Sequence, residues 1–214
     1  EILAKSQRKT FDAIFITHGH SDHIKSAGAL GRKTKSPVYS LPSYLNLKAS
    51  KFKNCSTTPI DVTQTYQIGS IEVKPFSTLH DSMHGSVGFT FKDADSKFCF
   101  ITDTGSISRL MKVTIADCDS YFMESDYDEE LMAAYEKYDR MLKDRITSDV
   151  GHLSNQQAVE YIQTLDLAKV KVIILGHLSK NTNSPECVNK LIAKTFPDHT
   201  QKFHIAPLAY DLEV

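Results

Sequence analysis

The run Thr17-His-Gly-His-Ser-Asp-His-Ile-Lys-Ser-Ala-Gly-Ala-Leu30 places three histidines and an aspartate, His18, His20, Asp22 and His23, within six residues. The apolar stretch before it, residues 11–17 (FDAIFIT), predicts a buried strand, and the residues after it predict a helix ending near Gly31. The polar cluster therefore sits at the carboxyl end of a strand, where the chain turns into a helix. Imidazole nitrogens and a carboxylate gathered at such a turn can hold a divalent ion. Core packing does not explain adjacent ionisable groups. The bland alternative is a solvated turn with Ser21 and Asp22 as helix caps.

Working outward, short apolar or alternating stretches predict strands over residues 38–40, 65–68, 71–77, 86–91 and 97–102, with hairpin turns at Gly69 and at Asp93-Ala-Asp95. The second half alternates: a strand over 120–123, a long helix within 128–145, a helix from about Ser154, a strand over 170–175, a helix after Pro185 and a strand over 202–205. Residues 1–7 have the apolar spacing of the last turns of an amphipathic helix. Meandering strands followed by alternating elements predict an α/β protein with sheet packed on sheet and helices outside. The 214 residues, 41% hydrophobic, are read as one domain, 1–214.

A formal net charge of −1, with no run of like charges, means that an anionic substrate must be met locally. The cysteines Cys55, Cys99, Cys118 and Cys187 form no CxxC pair, which points to reduced thiols and, with no apolar stretch near the ~20 residues of a membrane span and no signal peptide, to a cytoplasmic protein.

One ion needs three or four protein ligands and two ions need more, so other segments must contribute. His80 follows a strand in STLHD, with His84 as its competitor; Asp103 ends an apolar strand in TDTG; His177 follows another in ILGHLS. A loop histidine without a role, a turn aspartate before Gly105 and a helix-capping histidine are the respective alternatives. All three candidates share with the histidine run a place at the carboxyl end of a predicted strand, where open sheets gather ligands.

The HxHxDH run, with Thr17 before it and the Gly28-containing helix after it, resembles the signature of the metallo-β-lactamase superfamily. That resemblance implies the αββα sandwich of the superfamily. It also implies two divalent ions: the first on His18, His20 and His80, the second on Asp22, His23 and His177, with Asp103 bridging. Nitrogen and oxygen ligands without thiolate suit zinc and manganese, and zinc is favoured. The chemistry implied is hydrolysis by a water that the paired ions activate.

Three further segments narrow the reading: the ES-containing Met123-Glu-Ser-Asp-Tyr-Asp128, the Gly151-His-Leu-Ser-Asn155 motif and the His177-Leu-Ser179 motif. Together they resemble the YycJ/WalJ-type exonuclease family, which implies a phosphodiesterase acting on DNA from 5′ to 3′. Related tRNA 3′-processing nucleases pair a similar glutamate with a non-ligand histidine. By that resemblance Glu124, His152 and the ligand Asp22 are the catalytic residues, with His152 as general acid. The helix start at Ser154 and Asn155, and Ser179, Lys180 and Asn181, could receive phosphate oxygens. Arg145, Lys180, Tyr127 and Arg109 are the candidates for contact with a single strand. Met132, Tyr135, Tyr138 and Met141 are read as a core-facing stripe. The family's opening strands do not precede Phe11, so the chain is expected to be the later part of a longer one, or to complete itself by association. The ESD-Y-D run departs from the family's ESN-H-D. Between Asp103 and His152 there is no room for the inserted domain of the β-CASP nucleases. A glyoxalase-like thioesterase and a catalytically lapsed metal-binding protein are the competing functions. Oligomeric state is open.

Overall fold

The computed structural model describes residues 10–206; the helix end expected over residues 1–7 lies outside them. Strands β1 (Ile14–Phe15), β2 (Val38–Ser40) and β3 (Thr57–Pro59) form a three-stranded parallel sheet in that order. A seven-stranded mixed sheet contains β4 (Tyr66–Ile68), β5 (Ile71–Thr78), β6 (Ser86–Lys92), β7 (Lys97–Ile101), β8 (Ser120–Glu124), β9 (Val172–Gly176) and β10 (Phe203–Ile205). Its order is β10-β9-β8-β7-β6-β5-β4. Strands β4 to β7 pair antiparallel, with short turns joining β4 to β5 and β6 to β7 and the longer segment 79–85 joining β5 to β6. Gly69, at φ +60°, makes the first. At the β6–β7 turn Asp93 Oδ1 accepts hydrogen bonds from the amides of Asp95 and Ser96.

The sheets meet face to face through aromatic side chains. Phe15 of β1 packs on Phe89 and Phe91 of β6, with ring centroids 5.2 and 6.0 Å apart, in a layer that also contains Ile60, Val73 and Val87. Outside the large sheet, α4 (Arg109–Ile115), α7 (Asn155–Ile162) and α8 (Pro185–Thr195) bury Met111, Ile115, Val159, Ile162, Val188 and Ile192 against Ile101, Tyr121, Met123, Ile173 and Leu175. Outside the small sheet, α1 (Ser21–Ile24), α2 (Ala27–Thr34) and α3 (Pro42–Leu47) enclose Ile24, Ala27, Val38, Tyr44 and Phe52. Each buried aliphatic or aromatic side chain contributes ~1.5–3 kcal/mol, and the result is the αββα layering expected. Among the described residues no helix is long and apolar enough to cross a membrane.

Strand direction positions the site. β7, β8 and β9 run parallel, and β5, antiparallel to β6 as β6 is to β7, points the same way. The segments after β5, β7, β8 and β9, residues 79 onward, 102 onward, 125 onward and 177 onward, therefore leave the sheet on one rim.

Several local expectations change. The strand expected over residues 11–17 is regular only at Ile14–Phe15. The helix after the histidine run is two, α1 and α2, the second ending where Lys35 takes a left-handed backbone. The long helix expected within 128–145 is also two, α5 (Glu129–Ala134) and α6 (Arg140–Ile146). Tyr135 leaves helical geometry at ψ 103°, and Asp139 caps a new start by accepting from the Leu142 amide. The break rotates the supposed core stripe apart: Met132 is buried, Tyr135 and Tyr138 are half-buried edge to face, and Met141 is exposed.

Candidate active site

The histidine run lies between β1 and α1, and Gly19 shows why it can fold there. A Cβ on Gly19 would lie 2.1 Å from the Tyr44 ring. That ring is buried and anchored, its hydroxyl bonded to Ser82 and donating to the Gly85 carbonyl at 2.7 Å. Only glycine lets His18 and His20 flank the contact. Thr17 Oγ1 lies 3.1 Å from His18 Nδ1 and 3.3 Å from His23 Nδ1, which orients both rings with their Nε2 atoms toward the rim.

His80 reaches the same place from the end of β5. Its Nδ1–H donates to the Gly151 carbonyl at 3.0 Å, so Nε2 carries the lone pair, 3.2 Å from His20 Nδ1. His84, the competitor, is exposed and lies edge-on to Tyr44 instead. Asp103 follows β7 and His177 follows β9. Each has a left-handed backbone, at φ +53° and +60°, which turns its side chain back over the rim. Non-glycine residues adopt that conformation at a cost, and it concentrates at functional sites.

The Asp103 carboxylate is central. Its Oδ1 is 3.9 Å from His18 Nε2, 3.7 Å from His80 Nε2 and 3.6 Å from His177 Nε2, and its Oδ2 is 3.4 Å from His23 Nε2. Asp22, largely exposed, brings Oδ2 to 3.4 Å from His23 Nε2. Candidate ligand atoms within 4.8 Å of one another fall into the sets His18–His20–His80, His18–His23–Asp103 and Asp22–His23–His177. His18 Nε2 and Asp103 Oδ2 are buried without a hydrogen-bond partner among the described residues. Orphaned buried acceptors are costly, and a cation between them would satisfy both; the donor set fits divalent metal. Burial, followed by the neighbouring imidazoles, lowers the His18 pKa to about 2, so this ring is neutral and able to ligate.

Glu124 ends β8 fully buried and accepts four hydrogen bonds. Its Oε1 receives His152 Nδ1–H and His177 Nδ1–H, both at 2.8 Å; its Oε2 receives the amides of Thr104 at 2.9 Å and Leu153 at 3.2 Å. Burial alone would raise its pKa, but the bonds from His152 and His177 hold it well below the usual range. Burial works against a charged His152, yet the Glu124 carboxylate raises this imidazole to about 9. The sequence linked Glu124 to His152 alone. Its tie to His177 follows from the β8–β9 register, which sets Glu124 opposite Gly176. Asp103, Glu124, His152 and His177 form a further close set.

The proposed phosphate contacts divide. Ser154 and Asn155 are buried and fully engaged: Ser154 caps α7 with Gln157 and donates to Glu129 Oε1 at 2.9 Å. Asn155 Oδ1 accepts from Ser125 Oγ at 2.6 Å, its Nδ2 donates to Asn183 Oδ1 at 3.0 Å, and its amide donates to the Tyr127 carbonyl. With those donors used and a carboxylate beside them, these residues offer no phosphate site; they join the loops behind His152 and His177. Tyr127 is buried too, which removes it as a stacking surface. On the loop after β9, Ser179 Oγ accepts from Thr182 Oγ1, Asn181 Nδ2 donates to the Tyr138 hydroxyl, and Lys180 is exposed. Arg109 is exposed at the start of α4. Arg145 shares a cleft with His20, His80 and His152.

Residues 3–177 match the family described as the β-lactamase superfamily domain. The chain is 35% identical over 198 residues to an exodeoxyribonuclease WalJ of Streptococcus pneumoniae, covering 86% of this chain and 71% of that one. To an exodeoxyribonuclease YycJ of Bacillus anthracis it is 32% identical over 188 residues, covering 86% and 70%. Among solved structures, the metallo-β-lactamase fold protein YhfI from Bacillus subtilis superposes with a TM-score of 0.68 at 18% identity, over 92% of this chain and 75% of that one.

Proposed function

The chain belongs to the β-lactamase superfamily domain family, a superfamily of metallo-hydrolases, and groups with the WalJ and YycJ exodeoxyribonucleases; from that premise we propose that it is a metal-dependent DNA exonuclease working from 5′ to 3′. In this reading His18, His20 and His80 would hold one divalent ion, zinc in preference to manganese, and Asp22, His23 and His177 would hold a second, with Asp103 as the carboxylate that would serve both. When bound, such ions lower the pKa of water toward neutrality and offset charge on phosphoryl oxygens.

The protein's own groups supply the remaining steps. A water oxygen attacks phosphorus and gives up its proton to solvent while the bond from phosphorus to the leaving sugar oxygen breaks. His152, charged at neutral pH, gives that oxygen its proton from Nε2 and is recharged from solvent. Glu124 fixes the ring through Nδ1–H and stabilises the charged form. Lys180, exposed on the loop after β9 with Ser179 and Asn181, is the group assigned in this reading to meet the strand.

The observation that carries this reading is the buried Glu124 carboxylate shared by His152 and His177. A thioester hydrolase has no need of a charged imidazole beside its ligands. The test couples metal analysis with digestion of 5′-phosphorylated single- and double-stranded DNA. Asp103→Asn is expected to lose both metal and cleavage. His152→Ala should keep its metal while turnover falls roughly 10²–10⁴-fold. Equal metal loss in both variants would make His152 a ligand and overturn its role as acid; a wild-type protein that hydrolyses thioesters but no DNA would overturn the nuclease reading.

A further inference from the structure

A cleft of about 210 Å³ opens beside the ligand group. Its lining includes His20, His80 and His152 together with one face of α6, Leu142, Arg145 and Ile146. Arg145 does not hang free. Its Nε donates to Asp81 Oδ2, and Asp81 follows the candidate ligand His80 directly, so the guanidinium is tied to the site it faces. The terminal guanidinium nitrogens make no hydrogen bond among the described residues, and the side chain is 61% exposed. Leu142 and Ile146 flank it one turn apart, partly exposed.

An apolar wall with one oriented guanidinium, in the same cleft as the ligand group, matches a nucleotide: an anion for the planar fork and a flat, weakly polar ring for the aliphatic surface. We infer that this cleft is the subsite for the deoxynucleotide adjoining the scissile phosphodiester, with Arg145 taking its phosphate and Leu142 and Ile146 packing on its base and sugar. The inference rests on the nuclease reading and adds to it what grips the strand. Asp81 is a positioning residue: it spends one face of the guanidinium to aim the other. Of the cationic candidates in the sequence, Arg145 alone lines this cleft.

The test uses metal-loaded protein and two probes: a 5′-phosphorylated single-stranded deoxyoligonucleotide for kinetics, and its phosphorothioate analogue for binding as a function of salt. Arg145→Ala is expected to raise KM about tenfold with kcat within about twofold, and to reduce the slope of log affinity against log salt by about 0.7, the loss of one single-strand phosphate contact. Arg145→Lys should restore the slope but only part of the KM, because an ammonium cannot fork. Leu142→Ala should raise KM with the slope unchanged. Both side chains are at the surface, and unchanged metal content certifies the fold. If wild type digests the strand and Arg145→Ala leaves KM and slope where they were, the subsite is wrong and the nuclease reading stands. If wild type neither binds nor digests DNA, the nuclease reading falls and the subsite with it.

Discussion

On the small-sheet side of the site, four candidate ligands come from six consecutive residues; Thr17 orients His18 and His23, and the close approach of Gly19 to Tyr44 sets the turn between His18 and His20. On the large-sheet side, His80, Asp103 and His177 come from turns far apart in sequence. They are oriented by the Gly151 carbonyl, by left-handed backbone and by the shared Glu124 carboxylate. One side is specified locally, by neighbours along the chain. The other exists only once strands β5, β7, β8 and β9 are in register, so its geometry depends on the whole sheet. Defects should therefore stay local on the first side and spread between functions on the second.

The sharpest way to break that contrast is Glu124→Gln. It leaves an amide where two imidazoles donate, so His152 loses its charge partner and His177 its orientation together. An activity loss of roughly 10³-fold is expected, with metal affinity reduced ~10–100-fold. A pure kcat effect with metal retained would show that His177 does not depend on Glu124. Next is Gly19→Ala on the local side: the Cβ meets an anchored ring, and destabilisation of about 1–3 kcal/mol in chemical denaturation should accompany weaker metal binding. If the His152 titration measured by NMR also moves in this variant, the two sides are not separable. Thr17→Val removes the oxygen beside His18 and His23 and should weaken metal binding about tenfold without altering the kinetics of the metal-saturated protein. Smallest of all, His84→Ala should change neither metal content nor rate by more than about twofold, because this exposed ring lies outside the ligand sets.

The same contrast governs what could be read from sequence. The histidine run declares itself, because adjacent ionisable residues have no packing use. The strands also show, since Val87, Phe89 and Phe91 alternate along 86–91 and share the layer between the sheets. Ser154 was legible as a helix cap, but not as buried beneath Glu129, which only the parallel bridge between Tyr127 and Ser154 brings over it. The break at Tyr135 was hidden because Glu136 and Lys137 are good helix formers, whereas the chain restarts its helix at the local cap of Asp139 on the Leu142 amide. Helix α4 was missed because Leu110 and Val113 face outward and blur its apolar period. Strand β3 was missed because it is short and contains Pro59. The double role of Glu124 needed the pairing of β8 with β9, a fact of register that no single segment contains.

The left-handed backbone at Asp103 and His177 bears on engineering. At these two positions folding alone would prefer glycine, by an amount on the order of 1 kcal/mol each. A directed-evolution campaign scored only on heat resistance would drift toward Asp103→Gly and His177→Gly, and would return a hardier protein emptied of its chemistry.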